Sequence, residues 1–199
     1  MEKTIIFATG NEGKMREVRM ILADTGFRVV SMKEAGIHCE IIENGETFEE
    51  NALIKARTVC RASGAIAMAD DSGLEIDALQ KQPGVHSARF LGEDTPYDIK
   101  NSFILKKLEG LKKEDRTARF VCAIACVSPD GWEKVCRETM EGFIAEESRG
   151  TNGFGYDPIF WMDDFQCTNG ELEPEQKNAV SHRGKALRRM RQMLEEETV

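Results

Sequence analysis

What this chain lacks narrows its class before any motif is weighed. Its six cysteines, Cys39, Cys60, Cys122, Cys126, Cys136 and Cys167, include no Cys-x-x-Cys pair. They read as buried, reduced thiols of a cytosolic protein. The N-terminus has no basic segment followed by an apolar stretch and a cleavage site. No apolar run approaches the length of a membrane span, so a cytoplasmic protein with no membrane partner is expected. Positive charge is in deficit: 27 Lys and Arg face 35 Asp and Glu, for a net charge of -8. A general nucleic-acid binder would more often be basic, so no nucleic-acid partner is expected. An acidic protein can still bind a polyanion where its basic groups converge. There is no internal repeat, low-complexity tract or evident linker. The chain of 199 residues, 41% hydrophobic and 31% charged, therefore reads as a single globular domain over 1–199, with room for two lobes and a sizeable core.

Apolar patterning then sets out the elements. Strands are expected at Thr4–Ala8 and Phe27–Ser31. A helix from Glu12 to about Asp24 carries Met15, Val18, Ile21 and Leu22 on one face. Thr47-Phe48-Glu49-Glu50 has capping-box spacing, and Gly64 is placed to end the helix that follows. A strand at Ala65–Met68 leads into an acidic loop, and Leu74–Leu79 alternates like a half-buried strand. Thr95 is expected to cap a helix with Pro96 at its first position. Phe120–Val127 and Trp132–Glu146 flank a turn at Pro129-Asp130-Gly131 as a long hairpin. Ser181-His182-Arg183-Gly184-Lys185 opens a last helix, with Arg188, Arg189 and Arg191 on its solvated side and Glu195-Glu196-Glu197 as a frayed end. This order predicts an α/β fold with a mixed sheet.

Five segments carry chemistry. Asp70-Asp71 reads as the end of a strand, where adjacent carboxylates repel unless a metal ion, a proton or a cation sits between them. Their ordinary alternative is a helix cap or surface turn. Magnesium needs only one or two carboxylates plus substrate phosphates, and Glu43 and Glu46 are further candidate ligands. Thr9-Gly10-Asn11-Glu12-Gly13-Lys14 joins a strand to a helix, where amides and a lysine favour an anion. It is not a Walker A loop, which needs glycine at Ala8 and Ser or Thr at Met15. Glu50, Asn51 and Lys55 on the capped helix have surface pairing as their ordinary alternative. The glycine-rich run Gly150–Pro158 holds Phe154 and Tyr156, which could stack on a base. Lys177 and Arg183 could grip phosphate or base oxygens, and His182 begins a helix beside Arg183. A carboxylate pair with Gly/Lys/Arg-rich loops points to an enzyme acting on a nucleotide polyphosphate.

Taken together, Ala8–Lys14, Gly45–Ala52, Ala69–Leu74, Pro83–Arg89, Gly153–Pro158 and Ser181–Leu187 closely resemble the inosine triphosphate pyrophosphatase family, in the family's order and over nearly the whole chain. The resemblance implies two lobes around a long mixed sheet with flanking helices, an active-site cleft between the lobes, and a homodimer. It implies magnesium-dependent hydrolysis of ITP, dITP and XTP to the monophosphate and pyrophosphate. By motif, Asp71 resembles the catalytic base and a metal ligand. Thr9, Asn11, Lys14 and Ser72 resemble the phosphate contacts, and Phe154, Asp157, Lys177, His182 and Arg183 the base-binding group. Gly10, Glu12, Gly13, Lys55, Gly155 and Tyr156 complete the substrate-binding set. Two positions depart from the family pattern. His86 stands where tyrosine is common, which reads as local packing. Ile42-Glu43 replaces an acidic pair, leaving Glu43 as the candidate second metal ligand. Donors to a purine 6-oxo group would come from Arg183, His182 or backbone amides. Rival readings are a non-hydrolytic nucleotide sensor, against which the carboxylate pair argues, and a phosphotransferase or ATPase, against which the absent Walker A loop argues.

Overall fold

The computed structural model describes residues 3–23 and 25–196. Its strands are β1 (Lys3–Phe7), β2 (Phe27–Ser31), β3 (Ile66–Ile76), β4 (Thr117–Val127), β5 (Glu133–Ile144), β6 (Phe160–Met162) and β7 (Cys167–Thr168). They form one sheet in the order β2-β1-β3-β4-β5-β6-β7. β1 pairs parallel with β2 and β3, whereas β6 pairs antiparallel with β5 and β7, so the sheet is mixed as expected. The α-helices are α1 (Glu12–Ile21), α2 (Phe48–Ser63), α3 (Tyr97–Lys107), α4 (Pro174–Val180) and α5 (His182–Glu196).

The chain falls into two compact units. The first gathers the residues up to Asp71, Cys122–Glu138 and the segment from His182 onward. Its core joins Ile5 and Phe7 of β1, Met15 and Val18 of α1, and Leu187, Met190 and Leu194 of α5. β1 is apolar at successive positions because both its faces are buried. α2 starts on a complete capping box from Thr47 and Glu50, and it ends at Gly64, whose φ of 65° is one that glycine adopts without strain. All six cysteines are free thiols. Burial pushes the Cys126 thiol up to about 12 and that of Cys136 to about 11, so both stay protonated near neutrality.

The second unit comprises Ser72–Val121 and Thr139–Ser181. Leu74, Ile76, Ile104, Leu108, Phe120 and Phe160 form its core. The Pro83–Arg89 motif is a structural hub. Ser87 Oγ accepts from the Leu74 N–H at 2.8 Å and donates to the Gly84 carbonyl at 2.6 Å, and the Ser87 carbonyl accepts from the Tyr156 hydroxyl at 2.7 Å. His86, at the first departure from the family pattern, lies in this turn and accepts from Arg89 Nε at 3.1 Å.

Several expectations are corrected. The acidic segment is no loop: β3 runs unbroken through it, and what read as a second strand to Leu79 ends at Ile76 in a short 3-10 turn. Polar residues inside a buried strand look like a strand end when only hydrophobicity is read. α3 begins at Tyr97 with Pro96 itself as N-cap, while the Thr95 hydroxyl donates to the Leu91 carbonyl at 2.7 Å. β6, β7 and α4 are too short to show a period in the sequence. α1 stops at Ile21. Asp24 and Glu197, included in the expected helix and tail, lie outside the described residues.

Candidate active site

The pleat of β3 sends successive side chains to opposite faces, so Asp70 and Asp71 do not confront each other. Each has its own cation. Lys14 Nζ meets both oxygens of Asp70, at 2.9 and 2.8 Å, and Arg183 Nε reaches Oδ2 at 3.3 Å. Arg183 also pairs with Glu17 at 3.3 Å. Burial alone would raise the Asp70 carboxyl, but Lys14 and Arg183 outweigh it and hold the group well below the usual carboxylate range. On the other side, Lys55 Nζ lies 2.8 Å from Asp71 Oδ1 and 2.8 Å from Glu43 Oε2. Burial raises the Asp71 carboxyl, Lys55 opposes this, and the Glu43 charge adds to it; the net direction is up. One aspartate of the pair is thus pinned as a structural anion, and its neighbour is made more basic.

Asn51 explains why Glu43 and Asp71 come together. Its Oδ1 accepts from the Gly45 N–H at 2.8 Å, which orients Nδ2 toward Asp71 Oδ2 at 3.3 Å. A Cβ on Gly45 would stand 2.8 Å from Asn51 Oδ1 and 2.8 Å from Glu50 Cβ, so this loop position needs glycine for close approach. Gly45→Ala is expected to cost about 1–3 kcal/mol in denaturant unfolding. An unfolding midpoint equal to the parent's would show that the loop relaxes away from α2 freely. From sequence Asn51 stands beside Glu50 and Lys55 as a candidate on the capped helix, with no place in the catalytic, metal or substrate-binding sets. The available signal was its position: Asn51 and Lys55 lie one turn apart on the stripe of Phe48, Ala52 and Ala56 that α2 buries.

The Thr9–Lys14 loop is preformed. Thr9 Oγ1 accepts from the Asn11 N–H at 3.1 Å, and Asn11 Oδ1 caps α1 by accepting from Gly13 and Lys14 at 2.8 and 3.1 Å. Gly10 and Glu12 are exposed, and nothing lies within 4 Å of where a Gly10 Cβ would be. Ser72, the next residue of β3, is half-buried.

In the second unit Asp157 organises the glycine-rich loop. Its Oδ2 accepts from the Phe154 N–H at 2.7 Å and from Lys177 Nζ at 2.5 Å, and its Oδ1 accepts from Asn169 at 2.6 Å. Gly153, at φ 79°, leaves room for this carboxylate, since a Cβ there would come within 2.3 Å of it. Phe154 is 57% exposed, and Lys177 Nζ stands 5.3 Å from its ring centroid. Tyr156 is a core residue in an edge contact with Tyr97, and the Gly155 carbonyl accepts from Asn101 at 3.1 Å. Phe154, Asp157 and Lys177 thus form one cluster. Arg183 and His182, both buried on the first turn of α5, belong to the first unit, where Arg183 joins Lys14 on Asp70.

Among the described residues, no group of three or more His, Cys, Asp or Glu is arranged to hold a metal ion. The pair Glu43 and Asp71 offers hard oxygen donors that already share one positive charge, a donor set that suits magnesium completed by substrate phosphates.

The Ham1 family's sequence profile matches residues 5–193, nearly the whole chain. The chain belongs to the Ham1 family. Among its relatives, the dITP/XTP pyrophosphatase of Bacillus licheniformis is 48% identical over 195 residues, covering 98% of this chain and 99% of that one. The protein of the same name from Bacillus subtilis is 47% identical, covering 97% and 98%. A HAM1 protein from Coxiella burnetii has the same fold, with a TM-score of 0.91 and 41% identity over 98% of this chain and 99% of that one. The Staphylococcus aureus Ham1 protein matches with a TM-score of 0.90 and 39% identity over 98% and 100%. The resemblance read from the motifs stands. No helix of the described residues of this Ham1-family chain is long and apolar enough to cross a membrane.

Proposed function

We propose that this chain hydrolyses dITP, XTP and ITP to the monophosphate and pyrophosphate, removing non-standard purine nucleotides from the pool. The observation that carries the reading is Asp71, a buried carboxylate made more basic than usual, linked through Lys55 to a second carboxylate in a chain nearly half identical to proteins named dITP/XTP pyrophosphatase. Asp71 acts as general base and takes the proton of the attacking water. Asp71 and Glu43 would hold magnesium, which when bound draws charge from the triphosphate. Lys14, Lys55, Ser72 and the Thr9–Lys14 loop serve the phosphates. Phe154 stacks on the base, with Gly155, Tyr156 and Asp157 shaping its loop, and Lys177, His182 and Arg183 supply donors. A donor meeting the 6-oxo group would be left unpaired against the amino group of adenine, which is costly when buried.

The whole of 1–199 is proposed as one pyrophosphatase domain, given the span of the family match. The resemblance implies a homodimer, which light scattering on the purified protein tests, and a cytoplasmic location is proposed from the cysteine usage. Activity is tested by pyrophosphate release across a nucleotide panel with and without magnesium. ITP, dITP and XTP are expected to turn over only with magnesium, and ATP and GTP much more slowly. Equal turnover of ATP and ITP would refute the selectivity. Orthophosphate as first product would refute the reaction class, and no product at all would leave a nucleotide sensor.

A further inference from the structure

We propose that the Lys55 ammonium is an internal competitor for the divalent ion, so that ion and lysine exchange on the same carboxylate oxygens and ion binding frees Lys55 for the substrate phosphates. The inference rests on the magnesium reading above and deepens it. Both oxygens of Asp71 already have a donor: Lys55 Nζ on Oδ1 at 2.8 Å and Asn51 Nδ2 on Oδ2 at 3.3 Å. Lys55 also holds Glu43 Oε2 at 2.8 Å. Magnesium binds carboxylate oxygen at about 2.0–2.1 Å. An ion on Glu43 Oε2 and Asp71 Oδ1 would therefore stand within a few ångströms of the ammonium, where two cations repel strongly away from bulk water. One donor must leave.

The two donors differ in freedom. Asn51 is 1% exposed and its carboxamide is anchored at the other end by the Gly45 N–H, so moving it breaks a second hydrogen bond and disturbs the packing of α2. Lys55 projects from the same helix face on a long flexible stem, and its Glu43 partner is 37% exposed at the side chain, giving the ammonium a route toward water. Lys55 therefore leaves. An ammonium released from two carboxylates and turned toward water is free to pair with a new anion, and a nucleoside polyphosphate supplies one. Ion binding then prepares a cation for the substrate, and the binding of ion and nucleotide is coupled.

The test is calorimetric titration of magnesium into nucleotide-free wild type, Lys55→Met, Lys55→Gln and Glu43→Gln. Removing a charged hydrogen-bond partner that the ion must displace is expected to tighten magnesium about tenfold or more in both Lys55 variants. Affinity equal to wild type, or weaker, in a folded Lys55 variant would overturn the exchange. Binding that is absent in every protein, or unaffected by Glu43→Gln, would instead remove the magnesium site itself. A measurement on wild type alone does not depend on how the variants fold. Amine-directed labelling followed by mass spectrometry is expected to show Lys55 more reactive with magnesium than without. Unchanged or reduced labelling under saturating ion would overturn the exchange.

Discussion

Asp71→Asn is expected to fold like the parent and to lose at least about 10²-fold in turnover, since general-base catalysis is typically worth about 10²–10⁴-fold. The substitution keeps the shape of the side chain at the meeting point of Lys55 and Asn51 but removes the proton acceptor and one anionic donor. A folded variant retaining more than roughly a tenth of parental kcat would exclude Asp71 as the base. The pH profile carries a second signature. In the metal-free protein burial, opposed by Lys55 and helped by Glu43, raises the Asp71 carboxyl, so without magnesium the group should take up its proton at a pH above the ordinary aspartate range. The stability sign follows from the same shift. Over the interval from the unfolded to the folded pKa the native state binds more protons at Asp71, so this group makes the protein less stable as pH rises through that interval. Proton uptake by Asp71 in the ordinary aspartate range, followed in the magnesium-free protein, would show that burial does not set this carboxyl.

Arg183→Ala should be the most destabilising single substitution at the site. Arg183 is 8% exposed and places its guanidinium against two carboxylates, Asp70 and Glu17. Removing one partner of a buried ion pair costs about 3–5 kcal/mol. For a chain of this size that lowers Tm by roughly 6–20 °C, at about 2–4 °C per kcal/mol. Asp70 adds a pH dependence of opposite sign to that of Asp71. Lys14 and Arg183 lower its carboxyl despite burial, so it stabilises the fold above the ordinary carboxylate range and that contribution is lost as pH falls toward the depressed folded value. With Arg183 gone the depression shrinks, and the midpoint of acid unfolding should move to higher pH. Thermal and acid unfolding monitored by circular dichroism check both. A fall in Tm of less than about 2 °C would mean that water reaches Asp70 and Glu17 once the guanidinium is removed.

Both predictions involve residues whose type was legible in the sequence and whose partners were not. Asp70-Asp71 stood out as an adjacent acidic pair, and mutual repulsion was the evident problem. β3 instead solves it with its pleat, giving each carboxylate a separate face and a separate lysine. By motif Lys14 resembles a phosphate contact and Arg183 a base contact, yet both hold Asp70, a convergence of positions 14, 70 and 183 that no local pattern encodes. Asn51 is legible as a candidate on the capped helix but not as a partner of Asp71, because nothing local shows that its carboxamide reaches Gly45 in one direction and Asp71 in the other.

The sequence by itself determined the elements whose signals are local. The Thr47 capping box and the Gly64 stop follow from interactions within a few residues, and the β2 strand and the buried stripe of α5 show as local apolar patterns. The order of its motifs also determined the family. Only the tertiary structure decided which charges meet. Asp70 and Asp71 are the same residue type with near-identical neighbours along the chain, but one is lowered and the other raised. The difference lies in which cations the helices bring to each face of β3 and how far water is excluded there. Those quantities depend on distances through space, and segments far apart along the chain set them.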